Sequence, residues 1–222
     1  MDKYNLLHIQ GFHDLPLPNR FYRQEPASTR LAILFPGLGY NPDLPLLYFT
    51  QQLLLRHGVD LLQMRPDYTS SAFQSLSNDG QLEVMARDAA AALQTGLAQG
   101  EYQQAILAGK SIGTLSMAMV LPLVDMPEPP ITLWLTPLLR QAPLVEAALD
   151  CQAPSFYIVG SGDPTYLPAA MDLVQRRTAA KVFIAEGANH SLEIPGDPLK
   201  SLDILRRGMA ELSAFLDQAL EV

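Results

Sequence analysis

The feature that most constrains the fold of this chain is an alternation of short apolar runs with helical patterns. Six runs of five or six residues each stop at glycine, proline or polar residues. They show little polar alternation, which is typical of strands buried on both faces of a parallel sheet. The six runs are residues 31–35, 59–64, 104–108, 131–135, 155–159 and 181–185.

Between these runs, apolar residues recur at helical spacing. Ser77, Asn78 and Asp79 precede the clearest helical pattern and could cap it. Strands that alternate with helices predict right-handed βαβ units, and hence a doubly wound α/β fold with helices on both faces of a mostly parallel sheet. Residues 21–23 are a candidate edge strand within the N-terminal segment 1–30. The helical patterns are Leu82, Met85, Ala86, Ala89, Leu93 and Leu97; Leu202, Leu205, Met209, Leu212, Leu216 and Leu220; and the shorter segments 46–55 and 112–121.

Length and composition predict a single domain over residues 1–222, since 48% of the 222 residues are hydrophobic. The formal net charge of −8 argues against broad binding to nucleic acid or to anionic membranes. The lone cysteine, Cys151, excludes a disulfide within the chain and a cysteine zinc cluster. Residues 1–5 lack a signal-peptide pattern and no run of 18 apolar residues occurs, so a cytoplasmic location is expected. The oligomeric state is left open.

A nucleophile motif follows the third apolar run. Residues 109–113 read Gly-Lys-Ser-Ile-Gly, which is the pattern G-x-S-x-G between a strand and a helix. A serine on that sharp turn has its hydroxyl lifted above the sheet, and the flanking glycines let strand and helix approach closely. Ser111 also stands at a helix N-terminus, where free N–H groups stabilise negative charge. The motif alone is weak, and its position between a strand and a helix strengthens it.

Two nucleotide-binding patterns compete for the same glycine-rich segments. Gly109-Lys110-Ser111 could end a phosphate-binding loop, but that pattern requires glycine at position 104, where Gln104 stands, and a loop before the lysine. Gly37 and Gly39 could begin a dinucleotide fingerprint, but Pro42 occupies the place of its third glycine. Neither pattern is complete, and no cofactor is predicted.

A base and an acid follow two later strands. His190 lies in the loop after residues 181–185, and Asp163 comes shortly after residues 155–159. Serine needs a base to become a nucleophile, and the base needs a carboxylate to fix its tautomer. Each residue alone could be an ordinary loop histidine or turn aspartate. The chain order Ser111, Asp163, His190 is the order this mechanism has on an α/β sheet, which predicts a catalytic triad.

An oxyanion hole would complete the site, because acyl transfer needs N–H donors for the developing negative oxygen. Ile112 directly follows the predicted nucleophile and offers one backbone N–H. The loop after the first strand reads Pro36-Gly37-Leu38-Gly39-Tyr40, and its glycines let the backbone come close to the site. The N–H of Leu38 is the predicted second donor, with that of Gly39 as the alternative.

These segments together resemble the α/β-hydrolase family from about residue 31 to the C-terminus. The resemblance rests on residues 35–39, 109–113, 160–164 and 187–190. It implies a mostly parallel sheet with Ser111, Asp163 and His190 as the triad and no metal. The chain departs from the usual His-Gly of the oxyanion loop, where Pro36-Gly37 stands. Residues 137–154 are too few for an inserted cap domain, so the chain is similar to the small, lidless serine hydrolases.

The pocket is the least constrained part of the prediction. Leu38, Tyr40, Leu138 and Leu139 are candidates to line it, although ordinary core positions explain these apolar residues equally well. Lys110 could meet an anionic substrate, while a solvated or paired lysine is the commoner case. The sequence predicts a hydrolase of small-molecule carboxyl esters or thioesters. A peptidase or amidase with the same triad and a non-catalytic binding protein on the same scaffold stay open as alternatives.

Overall fold

The computed structural model describes residues 3–220; the four end positions of the predicted 1–222 domain, residues 1–2 and 221–222, lie outside it. The described residues form one seven-stranded sheet, in the order β1-β3-β2-β4-β5-β6-β7. The strands are β1 (Asn19–Tyr22), β2 (Arg30–Phe35), β3 (Asp60–Met64), β4 (Gln104–Lys110), β5 (Ile131–Leu135), β6 (Ser155–Gly160) and β7 (Lys181–Ala185). All six predicted strands are confirmed within a few residues.

Helices connect the strands and cover both faces of the sheet. They are α1 (Pro45–Arg56), α2 (Ser71–Gln74), α3 (Asn78–Leu97), α4 (Gly113–Val120), α5 (Ala142–Asp150), α6 (Pro168–Arg177) and α7 (Pro198–Leu220). Of the three predicted capping candidates, Ser77 caps α3: its hydroxyl accepts from the N–H of Gly80 at 3.2 Å. No cap domain is inserted anywhere between residues 3 and 220.

Successive side chains of the central strands point to opposite faces of the sheet and pack into two separate cores. Leu31, Ile33 and Phe35 on β2 pack into a core with α3, α4, α5 and α6. Ala32 and Leu34 of the same strand face a second core, beneath α1 and α7. This burial on both faces explains why the central strands read as continuous apolar runs.

One edge of the sheet agrees with the sequence expectation, and the other departs from it. The candidate edge strand at 21–23 is found at Asn19–Tyr22, antiparallel to β3, with Phe21 opposite Leu62. At the other edge, β7 pairs only with β6 and is not buried on both faces. Phe183 and Ala185 are buried, whereas Ile184 is exposed.

The predicted apolar stripe of α7 departs from the structure at its first residue, since Leu202 is 63% exposed. Leu205 and Met209 are half-buried against the second core, and Leu212, Leu216 and Leu220 are buried as expected. Ile204 and Gly208 are also buried. Gly208 lies close to β7, where a Cβ on it would be 3.2 Å from the Phe183 ring.

The direction of the chain reverses between β2 and β4, and this reversal positions the site. From β2 the chain moves through α1 to β3 on one side, and α3 then carries it back to β4 on the other side. Such a switch point opens a crevice at the carboxyl ends of the two strands, where α/β proteins bind ligands. The segments that follow these ends are the loop 36–40 after β2 and Ser111 after β4.

Candidate active site

Ser111 lies on a strained turn between β4 and α4. Strand β4 continues through Lys110 and helix α4 begins at Gly113, so two residues make the whole turn. Ser111 has a φ of 56°, a conformation that costs a non-glycine residue roughly 1–3 kcal/mol. The strand runs directly into Lys110 without an intervening loop, so the geometry of a phosphate-binding loop is absent from this turn.

The glycines on either side of Ser111 let the backbones of β4, α4 and the end of β2 come into close contact. A Cβ on Gly109 would lie 2.6 Å from the carbonyl oxygen of Gly113, and one on Gly113 would lie 2.1 Å from that of Phe35. Both distances are far inside van der Waals contact. The sequence requirement for glycine at these two positions is therefore steric, as the motif predicts.

A hydrogen-bonded chain joins the three predicted catalytic residues. His190 Nε2 lies 2.7 Å from Ser111 Oγ, and His190 Nδ1 lies 2.6 Å from Asp163 Oδ2. The residues come from the loops after β4, β6 and β7, which end at the same edge of the sheet. The Asp163 carboxylate is buried, whereas the His190 ring is 29% exposed, so the imidazole stands between a buried carboxylate and the Ser111 hydroxyl.

Thr165 supports the predicted acid, Asp163, and was not among the residues predicted from the sequence. Its N–H and its hydroxyl both donate to Asp163 Oδ1, at 2.7 and 2.8 Å. Burial alone would raise the pKa of Asp163, but hydrogen bonds from His190 and Thr165 outweigh it and hold the pKa below the usual value. The available signal was a threonine two residues after a strand-end aspartate, which is the spacing of an Asx turn.

The predicted oxyanion donors lie in the two loops that border Ser111. Within residues 3–220 the N–H groups of Leu38, Gly39 and Ile112 donate to no protein acceptor. The first loop is held by reciprocal backbone bonds between Gly37 and Tyr40, with Gly39 at a φ of 65°. These free donors are the groups an oxyanion hole requires, and the assignment of Leu38 over Gly39 stays a prediction.

A cavity of about 810 Å³ opens beside Ser111 and His190, and we call it the first cavity. Two of the predicted pocket residues, Tyr40 and Lys110, line this cavity. The exposed Glu193 and Asp197 contribute to its lining from the segment before α7. The Tyr40 ring is fixed in place because its oxygen accepts from the N–H of Leu46 at 3.0 Å.

Lys110 is neither solvated nor in an ion pair, contrary to the commoner expectation for a lysine beside a nucleophile. It is buried, its Nζ donates to the carbonyl oxygen of His190 at 3.3 Å, and it lies 4.5 Å from the centre of the Tyr40 ring. Burial lowers the pKa of Lys110 to about 8, although the nearby Asp163 opposes the shift. The side chain thus ties the backbone of the predicted base to β4.

Leu138 and Leu139, both predicted for the pocket, have different surroundings. Leu138 is half-buried and lines another cavity of about 460 Å³, the second cavity, to which Leu38 and Ile112 also contribute. Leu139 is only 1% exposed and belongs to the core, so its assignment to the pocket was wrong. Consecutive residues in this loop point in opposite directions, and only the first of them reaches the surface.

The fold and the site can be compared with known proteins. No protein-family model matches the sequence, and no curated protein sequence matches it either. Solved structures match over nearly the whole chain. An esterase of Pyrococcus furiosus has a TM-score of 0.73 at 13% identity, with 98% of this chain and 93% of that chain covered. An α/β serine hydrolase without a lid, from Xanthomonas campestris, has a TM-score of 0.68 at 18% identity, with 99% and 94% covered.

A protein of unknown function from Agrobacterium tumefaciens, considered a candidate α/β hydrolase, is similar to the same degree. Its TM-score is 0.75 at 18% identity, and the match covers 98% of this chain and 96% of that chain. The chain therefore has the α/β-hydrolase fold, in the form without a separate cap domain. At these identities the similarity establishes the fold, and the chemistry has to be argued from the site.

Two further observations concern metal binding and membrane insertion. Residues 3–220 contain no cluster of three or more histidine, cysteine or acidic side chains able to hold a metal ion. None of the helices in that range is both long and apolar enough to cross a membrane.

Proposed function

We propose that this protein is a serine hydrolase that cleaves a carboxyl ester or thioester of a small molecule through an acyl-enzyme. The observation that carries the proposal is the unbroken hydrogen-bonded chain from Asp163 through His190 to Ser111, whose hydroxyl stands on a strained turn at the mouth of the first cavity. Nucleophile, base and orienting acid are each within hydrogen-bond reach of the next, which is the geometry that activates a serine.

Acylation begins when Ser111 Oγ attacks the carbonyl carbon while His190 Nε2 takes its proton. The buried Asp163 accepts from Nδ1–H, which keeps Nε2 unprotonated and ready and then stabilises the imidazolium. The N–H groups of Ile112 and Leu38 are the proposed donors to the oxyanion, and one such donor is commonly worth about 2.7–4 kcal/mol. The C–O or C–S bond then breaks, and His190 returns the proton to the leaving group.

Deacylation repeats the same steps with water as the nucleophile. His190 takes a proton from water, hydroxide adds to the acyl carbon, and the collapse of the second tetrahedral intermediate returns the proton to Ser111 Oγ. The products are a carboxylic acid and an alcohol or thiol. The steps need only groups that this chain supplies and one molecule of water.

The comparisons support this chemistry at the level of class. Two of the similar structures are described as an esterase and as a serine hydrolase without a lid, and both match nearly all of this chain. The open first cavity suits a small substrate that enters from solvent without a cap domain moving. A cytoplasmic location and the lack of nucleic-acid binding stay predictions of the sequence.

Covalent labelling tests the nucleophile directly. A fluorophosphonate probe should label the wild-type protein and fail to label Ser111→Ala. The matched control is Ser116→Ala, because Ser116 is a buried serine on α4, the helix that follows Ser111, and lines neither cavity. Equal labelling of wild type and Ser111→Ala would reject Ser111 as the nucleophile.

A small substrate panel separates the open alternatives. Esters, thioesters and anilides of acetic acid present one acyl group with three leaving atoms, so their relative rates distinguish an esterase or thioesterase from an amidase. We expect turnover of the ester or the thioester that depends on Ser111. Labelled protein that turns over none of the three would favour a binding protein on this scaffold.

A further inference from the structure

The two cavities beside Ser111 meet at a single residue. Leu38 lines both of them, while Ser111 and His190 line only the first and Ile112 lines only the second. The proposed oxyanion donors therefore lie on the boundary between two separate spaces. A carbonyl carbon held at Ser111 has one of these spaces on each side.

The two cavities differ in charge. The first contains Lys110, Glu193 and Asp197 in addition to His190. The second is walled by α3, α4 and α5, and none of its lining residues in the described chain is ionisable. Its polar lining consists of amides alone, from Gln74, Asn78, Gln81 and Gln141, and the rest is apolar. An alkyl chain bound in the second cavity would remove its apolar surface from water without desolvating a charged group.

Proton transfer determines which substituent of the substrate faces which cavity. The leaving group receives its proton from His190 Nε2, so it must lie on the side of His190, in the first cavity. The oxyanion faces the N–H groups of Leu38 and Ile112. The remaining substituent of the tetrahedral carbon is the acyl chain, and it is directed away from His190.

From this arrangement we propose that the second cavity binds the acyl chain, and that the preferred substrates are esters or thioesters of apolar, medium-length carboxylic acids. The inference rests on the proposed function and adds the substrate class to it. Leu38 and Leu82 support it, since they are 48% and 38% exposed at the rim of this cavity. Large apolar side chains that stay exposed around a concave surface mark a site for an apolar ligand.

The chain-length dependence of hydrolysis tests the inference. Each methylene that becomes buried should raise kcat/KM about two- to fourfold. The ratio of kcat/KM for p-nitrophenyl octanoate to that for p-nitrophenyl acetate should therefore be at least about tenfold. Leu82→Glu places a carboxylate at the rim of the second cavity and should lower this ratio by about tenfold.

The matched control is Leu202→Glu, because Leu202 is an exposed leucine that lines the first cavity. It should keep the wild-type ratio, and circular dichroism should show both variants folded, since both side chains are on the surface. A ratio lowered by Leu202→Glu but not by Leu82→Glu would overturn the inference by placing the acyl chain in the first cavity. An unchanged ratio in both variants would overturn it as well.

The same assay separates the inference from the function on which it rests. Turnover of acetate that depends on Ser111, combined with no preference for octanoate, would overturn the acyl-chain assignment and leave the serine hydrolase standing. No turnover of either ester that depends on Ser111 would overturn both.

Discussion

At the scale of single residues, the site depends on side chains that hold other side chains in place. Thr165 holds the carboxylate of Asp163 through two hydrogen bonds, and Lys110 donates to the backbone carbonyl of His190. Neither touches the Ser111 hydroxyl. Their contribution is geometric and electrostatic, so conservative substitutions should expose it without removing any triad member.

Thr165→Val should reduce kcat/KM about tenfold, because the loss of one hydrogen bond to a buried carboxylate is typically worth 1.5–3 kcal/mol and the N–H bond remains. Loss of that bond should also raise the pKa of Asp163 toward its ordinary value. Thr165→Ser keeps a hydroxyl and should behave like wild type; a kcat/KM of Thr165→Val equal to that of wild type would show that the threonine does not support Asp163.

Lys110→Met should stabilise the protein and lower its activity. Burial depresses the pKa of Lys110 to about 8 in the folded state, against an unfolded value near 10.5. The charged form therefore destabilises the fold below pH 8, and stability is regained as pH rises from about 8 to about 10.5. The variant's advantage in free energy of unfolding should thus be largest at neutral pH and shrink above pH 8.

Urea unfolding at a series of pH values measures this difference. A difference that is the same at pH 7 and pH 10 would contradict the burial of a charged lysine. The expected fall in kcat has a separate cause, namely the loss of the donor to the His190 carbonyl. A buried lysine that lowers stability and positions the proposed base is consistent with the general trade-off between stability and activity.

At the scale of elements, the turn between β4 and α4 concentrates the steric demands of the site. Gly113→Ala would place a Cβ 2.1 Å from the carbonyl oxygen of Phe35 and 2.5 Å from that of Pro36, so backbone would have to move. Such overpacking typically costs about 1–3 kcal/mol. Because the movement would displace the loop after β2, activity should fall together with stability.

The control for this substitution is Gly80→Ala, in the first turn of α3. A Cβ there would lie no closer than 3.4 Å to its neighbours, so alanine should be neutral or stabilise the helix. Urea unfolding compares the two variants. Equal stability of Gly113→Ala and wild type would mean that the two strands and the helix are less tightly packed at this turn than the distances require.

At the scale of the whole molecule, one sheet takes part in both cores. Trp134 and Phe156 lie on neighbouring strands but face opposite cores, and Trp134 stacks on Tyr157 at 5.4 Å between ring centres. Both layers of helices pack on the same strands, so the loss of either layer would expose one face of the sheet that the other layer covers from behind. This coupling supports the predicted single domain.

The chain should therefore unfold in one cooperative transition. Fluorescence of Trp134, the single tryptophan of the sequence, reports on the central strand β5, and far-ultraviolet circular dichroism reports on the helices of both layers. In a urea titration the two signals should have the same midpoint. Separated midpoints would indicate that part of the chain folds independently of the sheet.

Much of the fold and the identity of the candidate triad could be predicted from the sequence. The central strands are buried on both faces, so their apolar runs are continuous and their ends are sharp. Ser111, Asp163 and His190 each follow such an end, and parallel strands present those ends at one edge. The edge strand β7 and the first turns of α7 were less well predicted, because there burial depends on which neighbours are present.

What the amino-acid sequence determined by itself is the order of elements, the strained glycine-flanked turn and the three residues of the hydrogen-bonded chain, since each depends on local pattern and chain order. Only the tertiary structure decided the burial of Lys110, the support of Asp163 by Thr165, the core position of Leu139 and the two cavities on either side of Leu38. These features arise from loops and helices that are distant in sequence. Their packing depends on the contacts of the whole fold, which no local pattern records.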